Sequence, residues 1–407
     1  MKRAAIGFTV ALGLLAADEG RAQAPAWTER VRLSGSADAG LFGGGRDSVT
    51  PDDGFRVWDT RLFVDAELGD DVRVGDVPVI RNVGFTFEWN LVRNGDLAND
   101  VGLAYVDFEG LFESEWLNLR VGRFQIPFGE AYRLYSKGYA DRSFSSQPVG
   151  GPWWWDEGVL LHGASTSGRL GYVASVTNGD TEFGDVGGDA QATLKLWAQP
   201  CSFFYASLSG LWADALGGVD GSLWLGEGWA RPFGSGGPPI PNVVDGTPVA
   251  DDPDGLGQTW ALAADVILTP TPGLRVWLSG GRYEIDSRGA ARYDRTLWYW
   301  LGEVLAEGEL VHPTLRPFFL GVRVDGVGTW DQDRGYLLDV RYTADLGYNM
   351  EHLIAYTVVA GWHVTEYVTL RSEYSHRDVD LVTGAAALLP GSTGDEDTWT
   401  IEVGIHF

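Results

Sequence analysis

A single cysteine, Cys201, excludes an internal disulfide and any cysteine-built metal cluster; it reads as a small apolar residue near a turn. Positive charge is scarce too. Lys and Arg number 30 against 56 Asp and Glu, for a net charge of −26, and the basic residues are nearly all Arg. Nucleic acid is not an expected partner of so acidic a chain. His162, His312, His352, His363, His376 and His406 are scattered singly, none with metal-ligand spacing, so neither a metal nor another cofactor is expected. No stretch offers the ~20 uncharged apolar residues that a transmembrane helix needs. No segment reads as a convincing amphipathic helix either; 296–310 reads equally well as a strand followed by a loop. If this chain crosses a membrane, it does so as a closed barrel of strands.

The N-terminus has the shape of an export signal. Lys2 and Arg3 precede an apolar run from Ala4 to Ala17, and small-residue cleavage positions follow between Asp18 and Ala24. Residues 1–22 are expected to be removed, leaving a mature chain of 23–407.

What is present in excess is glycine and aromatic rings: Gly 56, Trp 18, and aromatics at 13 %. Average soluble chains are poorer in both. Barrels use Gly where strands bend and aromatics in girdles at the two lipid interfaces. A Trp-rich secreted sandwich that binds glycans is the alternative to weigh against this.

Alternation decides between them. In the last stretch Trp399, Ile401, Val403, Ile405 and Phe407 form one row, and Thr398, Thr400, Glu402, Gly404 and His406 the other. The same two-residue rhythm runs through 31–41, 58–67, 85–91, 104–109, 117–121, 158–164, 170–177, 190–198, 202–211, 259–268, 274–283, 296–305, 315–324, 335–342, 353–363, 367–377 and 398–407. Charges recur on the second face of strand after strand, with no helices to cover the first. The expectation is therefore all-β: a transmembrane antiparallel barrel, oily rows on lipid and polar rows lining the interior. These segments number seventeen, whereas single-chain bacterial barrels have an even number of strands. Sixteen and eighteen both remain open, and an irregular strand between Ala215 and Arg231 is one candidate for the discrepancy. Two segments break the rhythm: 126–155, with its Pro127-Phe128-Gly129 and Trp153-Trp154-Trp155, and 213–257, rich in Gly, Pro and Asp.

Leu119-Arg120-Val121-Gly122-Arg123-Phe124-Gln125-Ile126-Pro127-Phe128-Gly129 resembles a signature of the phosphate-selective porin O and P family. Asp59-Thr60-Arg61-Leu62, Ala104-Tyr105-Val106-Asp107-Phe108, Gly158-Val159-Leu160-Leu161-His162-Gly163, Tyr172 to Gly179 and Leu338-Asp339-Val340-Arg341-Tyr342 are similar to further strands of that family, in order. The resemblance covers most of 55–180 and 335–407; about 200–330 matches nothing in it. It implies a homotrimeric porin of the bacterial outer membrane, in contact with membrane lipid, of about sixteen strands. Small polar solutes or anions such as phosphate would pass a constriction made by an inward loop at 126–155.

The candidate pore-constriction and solute-binding residues are Arg61, Arg120, Arg123, Arg133, Lys137 and Arg142, with Asp107 and Glu109 close by. One reading is an anion funnel, in which fixed positive charge in a narrow pore attracts anions. The other is a balanced wall, with Arg and acids paired across strands, and the nearness of acids to each Arg favours it. Trp153 to Trp155 are expected to join the interface girdle. Acids at 180–185, 251–254 and 395–397 read as solvated loop surface. No motif marks a nucleophile with its His and orienting partner, so catalysis is not expected.

Overall fold

The computed structural model describes residues 30–44, 54–93, 96–130, 143–146, 148, 155–179, 190–214, 224–225, 228–229, 242–244, 247–249, 256–287, 294–330, 350–381 and 396–407. Sixteen strands close into one antiparallel barrel. They are β1 (Val31–Gly44), β2 (Gly54–Val74), β3 (Val77–Arg93), β4 (Asp96–Glu109), β5 (Asn118–Gln125), β6 (Trp155–Ala164), β7 (Leu170–Thr177), β8 (Gln191–Cys201), β9 (Phe204–Ala213), β10 (Leu256–Thr271), β11 (Leu274–Ser287), β12 (Arg295–Glu307), β13 (Phe318–Gly328), β14 (Met350–His363), β15 (Val368–Leu381) and β16 (Glu396–His406). Each pairs with its neighbours in sequence, and β16 returns to pair with β1, from Ser36 opposite His406 to Gly44 opposite Thr398. Closure removes the sheet edges, which in lipid would leave backbone groups without partners.

Connections alternate. One end of the barrel carries short turns, at 75–76, 110–117, 165–169, 202–203, 272–273, 308–317 and 364–367. The other carries the longer ones, including 126–154, 178–190, 214–255, 329–349 and 382–395. Both termini of the barrel lie at the short-turn end.

Sixteen is one of the two strand counts that the sequence left open, and one fewer than its alternating segments. β13 hydrogen-bonds directly to β14, from Phe318 opposite Trp362 to Gly328 opposite His352. The expected strand at 335–342 lies outside the described residues. Of 215–231 only 224–225 and 228–229 are described, and there Trp224–Leu225 pairs with Gly228–Trp229 in a two-stranded ribbon separate from the barrel.

The rows fall as the alternation predicts. On β16, Ile401 (57 % exposed) and Ile405 (46 %) face outward, while Glu402 between them is 0 % exposed. Leu194, Leu196, Leu208, Trp212, Leu262, Leu278, Trp298, Val304, Leu320, Val322 and Val358 are likewise exposed apolar residues of the outer face. Segment 296–310 proves to be a strand followed by a short 3-10 turn, Gly308–Leu310. At the seam, Gly40 leaves room for the backbone of β16: a Cβ there would run into the Ile401 carbonyl.

Candidate functional site

The inner wall is not uniform. Around the seam, on β15, β16, β1, β2 and β3, the inward row is ionic and tightly paired. Arg371 is buried between Asp38 on β1, 2.5 Å away, and Glu402 on β16. Arg61 on β2 donates from Nη2 to Asp59 at 3.0 Å and from Nη1 to Glu88 on β3 at 3.1 Å. Arg323 on β13 lies 3.1 Å from Asp325. Charges taken out of bulk water survive only with such partners.

From β9 to β14 the long-loop half of the inner wall is apolar. Leu211, Ala213, Ala261, Ala263, Tyr283, Ile285, Leu297, Tyr299, Val327, Leu353 and Ala355 form one buried cluster there. This departs from the expectation of an interior lined by polar rows. The cause is the chain itself. Phe124, Ile126 and Phe128, at and just beyond the end of β5, belong to the same cluster, and the Phe128 ring lies 6.0 Å from that of Tyr283. The wall is apolar where a stretch of chain rather than water lies against it.

Two polar contacts accompany this packing. Past Phe128, the Gly129 carbonyl accepts from Lys195 Nζ on β8 at 2.6 Å. Glu130 then accepts from the Tyr205 hydroxyl at 2.5 Å and the Ser207 hydroxyl at 3.0 Å, both on β9, and pairs with Lys195. Glu130 and Lys195 are both fully buried. Farther along, Ser145 and Ser146 donate backbone N–H to the Glu373 carboxylate on β15, at 2.7 and 3.0 Å. Arg323 on β13 donates to the Ser146 carbonyl at 2.9 Å and to its hydroxyl at 2.6 Å. Phe144 sits under that guanidinium, 4.8 Å from ring to Cζ, and packs with Leu305, Phe319 and Val359. Gly321 makes this possible, since a Cβ there would lie 2.7 Å from the Phe144 ring. Residues 126–130 are thus bound to β8–β11 and 144–146 to β12–β16.

The expected site residues divide. Arg61, Asp107, Glu109 and Arg120 stand on inward rows. Arg120 donates to Asp107 Oδ2 from Nη2 at 2.6 Å and from Nε at 3.0 Å, and its guanidinium lies 4.0 Å over the Tyr105 ring. His162 Nε2 lies 3.1 Å from Asp107 Oδ1, and Glu109 accepts from Asn82 at 3.3 Å. Arg123 does not join this group. It stands on the opposite row, after Gly122 with its φ of +129°, where it donates to the Val101 carbonyl and reaches Glu157 at 3.5 Å. Arg133, Lys137 and Arg142 lie outside the described residues. Trp155 is a correction: at 3 % exposure it belongs to the internal apolar cluster, not to a lipid-facing girdle, while Trp153 and Trp154 fall outside the described residues.

Lys195, Arg323, Arg371 and Glu373 were not among the candidates. Their inward placement is readable, since Arg371 and Glu373 share the polar row of 367–377; their partners are not, because those come from far along the chain. Among the described residues no group of three His, Cys, Asp or Glu is arranged to hold a metal ion.

Scanned against protein families, the chain matches none, and no curated protein matches it. Solved structures do. A loop L8 deletion form of OmpT, an outer membrane protein of Vibrio cholerae, is 11 % identical with a TM-score of 0.55, covering 93 % of this chain and 99 % of that one. Pseudomonas putida OprB is 10 % identical with a TM-score of 0.53, covering 93 % and 95 %. Salmonella typhi OmpF, in complex with daunomycin, is 10 % identical with a TM-score of 0.53, covering 93 % and 97 %. At such identity the likeness is one of fold: this chain, like those structures, folds as a closed antiparallel barrel, here of sixteen strands.

Proposed function

We propose that this chain is a porin of the bacterial outer membrane, a passive diffusion channel for small polar solutes. One observation carries the reading: a closed barrel of sixteen strands turns apolar rows outward and keeps its buried ionic side chains, such as Arg61, Arg371 and Glu402, on inward rows. That arrangement is stable only with lipid outside. The short turns would face the periplasm and the long loops the exterior. Export would use residues 1–22. The contacts of 126–130 and 144–146 with the inner wall support a constriction built by 126–155, with Arg133, Lys137 and Arg142 on the part between them. The trimer-form structure of Vibrio cholerae OmpT makes a homotrimer the assembly to test first.

Phosphate or general anion preference rests on the resemblance around 119–129. Against it stands the pairing of Arg61 and Arg120 with acids on the inward rows, which makes the wall a mixed-charge one. Single-channel recording on the purified protein tests the whole reading: discrete conductance steps are expected, and their absence would overturn it. Reversal potential across a salt gradient, with and without Arg120→Gln and Arg133→Gln, then fixes the sign of the preference. The glycan-binding secreted alternative requires a protein that leaves the envelope without detergent.

A further inference from the structure

We infer that the inner wall of β4–β9 carries a saccharide-binding site at its short-turn end, formed by a Trp197–Tyr205 platform and the Arg120–Asp107–His162 group. The inference rests on the reading of the interior as a water-filled path, because a solute must reach this wall to bind it.

The platform follows from register. Trp197 on β8 pairs with Gly171 on β7 and Ser207 on β9, both buried on the inward row. The Trp197 ring lies against Gly171, where a Cβ would run into its six-membered ring; only glycine lets the indole lie back on the wall. Beside it the Tyr205 ring stacks at 6.1 Å and 21°. Tyr205 is itself fixed, its hydroxyl held by Glu130 at 2.5 Å. Trp277 packs in the same cluster, its Nε1 donating to Asp265 at 3.0 Å. The result is a rigid aromatic floor, and Trp197 is the half-buried part of it.

The polar group lies within reach. His162 on β6 pairs with Val173 on β7, which pairs with Lys195 on β8, two residues from Trp197. Two strand spacings and two residues of rise give roughly 10–12 Å between the Cα atoms of His162 and Trp197. Arg120 and His162 each keep 26 % of the side chain exposed. Tyr105 beneath Arg120 and Asp107 beside it hold the guanidinium in one orientation, and His162 braces the same carboxylate from its other oxygen.

The chemistry selects the ligand class. A pyranose offers one face of C–H bonds, which stacks on an aromatic ring, and a rim of hydroxyls, each both donor and acceptor. The wall offers a fixed ring on one side and, one to two sugar units away, a fixed donor next to a fixed acceptor. A small inorganic anion makes no use of the rings, and a purely apolar solute makes none of the ions.

The test is current block in planar bilayers with maltotriose as probe. Maltotriose is expected to lower the open-channel current of the native protein in a saturable way. In Trp197→Ala the half-blocking concentration should rise about ten-fold, in keeping with loss of an aromatic anchor. Trp197→Phe should recover most of the block, and Gly171→Ala, which pushes the ring off the wall, should weaken it while every aromatic is retained. Open channels that ignore maltotriose, or an equal block in native protein and Trp197→Ala, would overturn the site. If no channels form, the pore reading fails, and calorimetry of the detergent-solubilised barrel with maltotriose decides the site separately: heat that vanishes in Trp197→Ala supports it, and no heat with native protein overturns it.

Discussion

Two halves of the inner wall have been solved differently by the same chain. At the seam, Arg371 holds Asp38 and Glu402, so three strands meet through buried ions. Between β9 and β14, the long-loop half of the wall holds Ala261, Ala263, Tyr283, Tyr299 and Leu353, and Ile126 and Phe128 pack against it. Fold class does not distinguish the two, since both belong to one barrel. What distinguishes them is the neighbour on the inside. Ions are matched by ions where the wall supplies its own partners, and apolar residues appear where a segment of chain replaces solvent.

The sharpest way to break this comparison is to attack the ionic half. Arg371→Leu leaves Asp38 and Glu402 buried without their shared cation and should cost about 3–5 kcal/mol, the range for removing one partner of a buried pair. The readout is the temperature at which the folded band is lost on gel electrophoresis. Adding Asp38→Asn and Glu402→Gln to the same chain should recover much of the loss, because no uncompensated charge then remains. If Arg371→Leu melts like the native protein, the seam is held by its strand pairing alone.

The apolar half should fail in another way. Phe128→Ala removes a fully buried ring, a change in the range of ~3–5 kcal/mol if the cavity stays open. Here the loss need not melt the barrel, because the segment can leave the wall while the strands remain paired. We expect a smaller fall in melting temperature than for Arg371→Leu, together with larger and noisier single-channel conductance. Lys195→Met, which strands the Glu130 carboxylate, should raise conductance in the same direction. Unchanged conductance in both variants would mean that 126–130 does not narrow the path.

The outer face supplies a third contrast, smaller again. Val403→Lys, on the lipid-facing row of β16, should cost about 2–4 kcal/mol if it lies near the bilayer midplane. Glu109→Lys, on the half-exposed inward row of β4, should cost far less. Equal costs would contradict the assignment of the two rows.

How much of this was legible depends on which physical signal carries it. The outer row could be read where it is consistently apolar, as in 398–407, and the strands of β16 and β15 fall where the alternation puts them. The inner rows obey two rules. On β10 and β12 both faces are apolar, so the two-residue signal fades there, and this is the region where the family resemblance also ran out. The paired state of Arg61 and Arg120 was foreseeable from acids two or thirteen positions away. Lys195 with Glu130, and Arg323 with Ser146, were not, because cross-lumen partners depend on the path of a segment that has no periodicity of its own. Trp155 shows the same limit: three consecutive tryptophans suggest a girdle, and the last one is instead buried in the cluster with Phe124, Ile126 and Phe128.

The mildest change tests where burial stops mattering. In the short turn after β4, Glu115 pairs with Arg81, and both side chains are about half exposed. The Arg81 guanidinium holds the Glu115 carboxyl below its ordinary range. A carboxylate with a lowered pKa contributes stability at neutral pH, and the contribution disappears as pH falls through that lowered value. Because water screens both partners, the pair should be worth little. Glu115→Gln is therefore expected to leave the melting temperature at neutral pH nearly unchanged, and to remove only a small part of the acid-induced loss of stability. A large drop at neutral pH would show that this turn, rather than the buried ions of the seam, governs closure at the short-turn end.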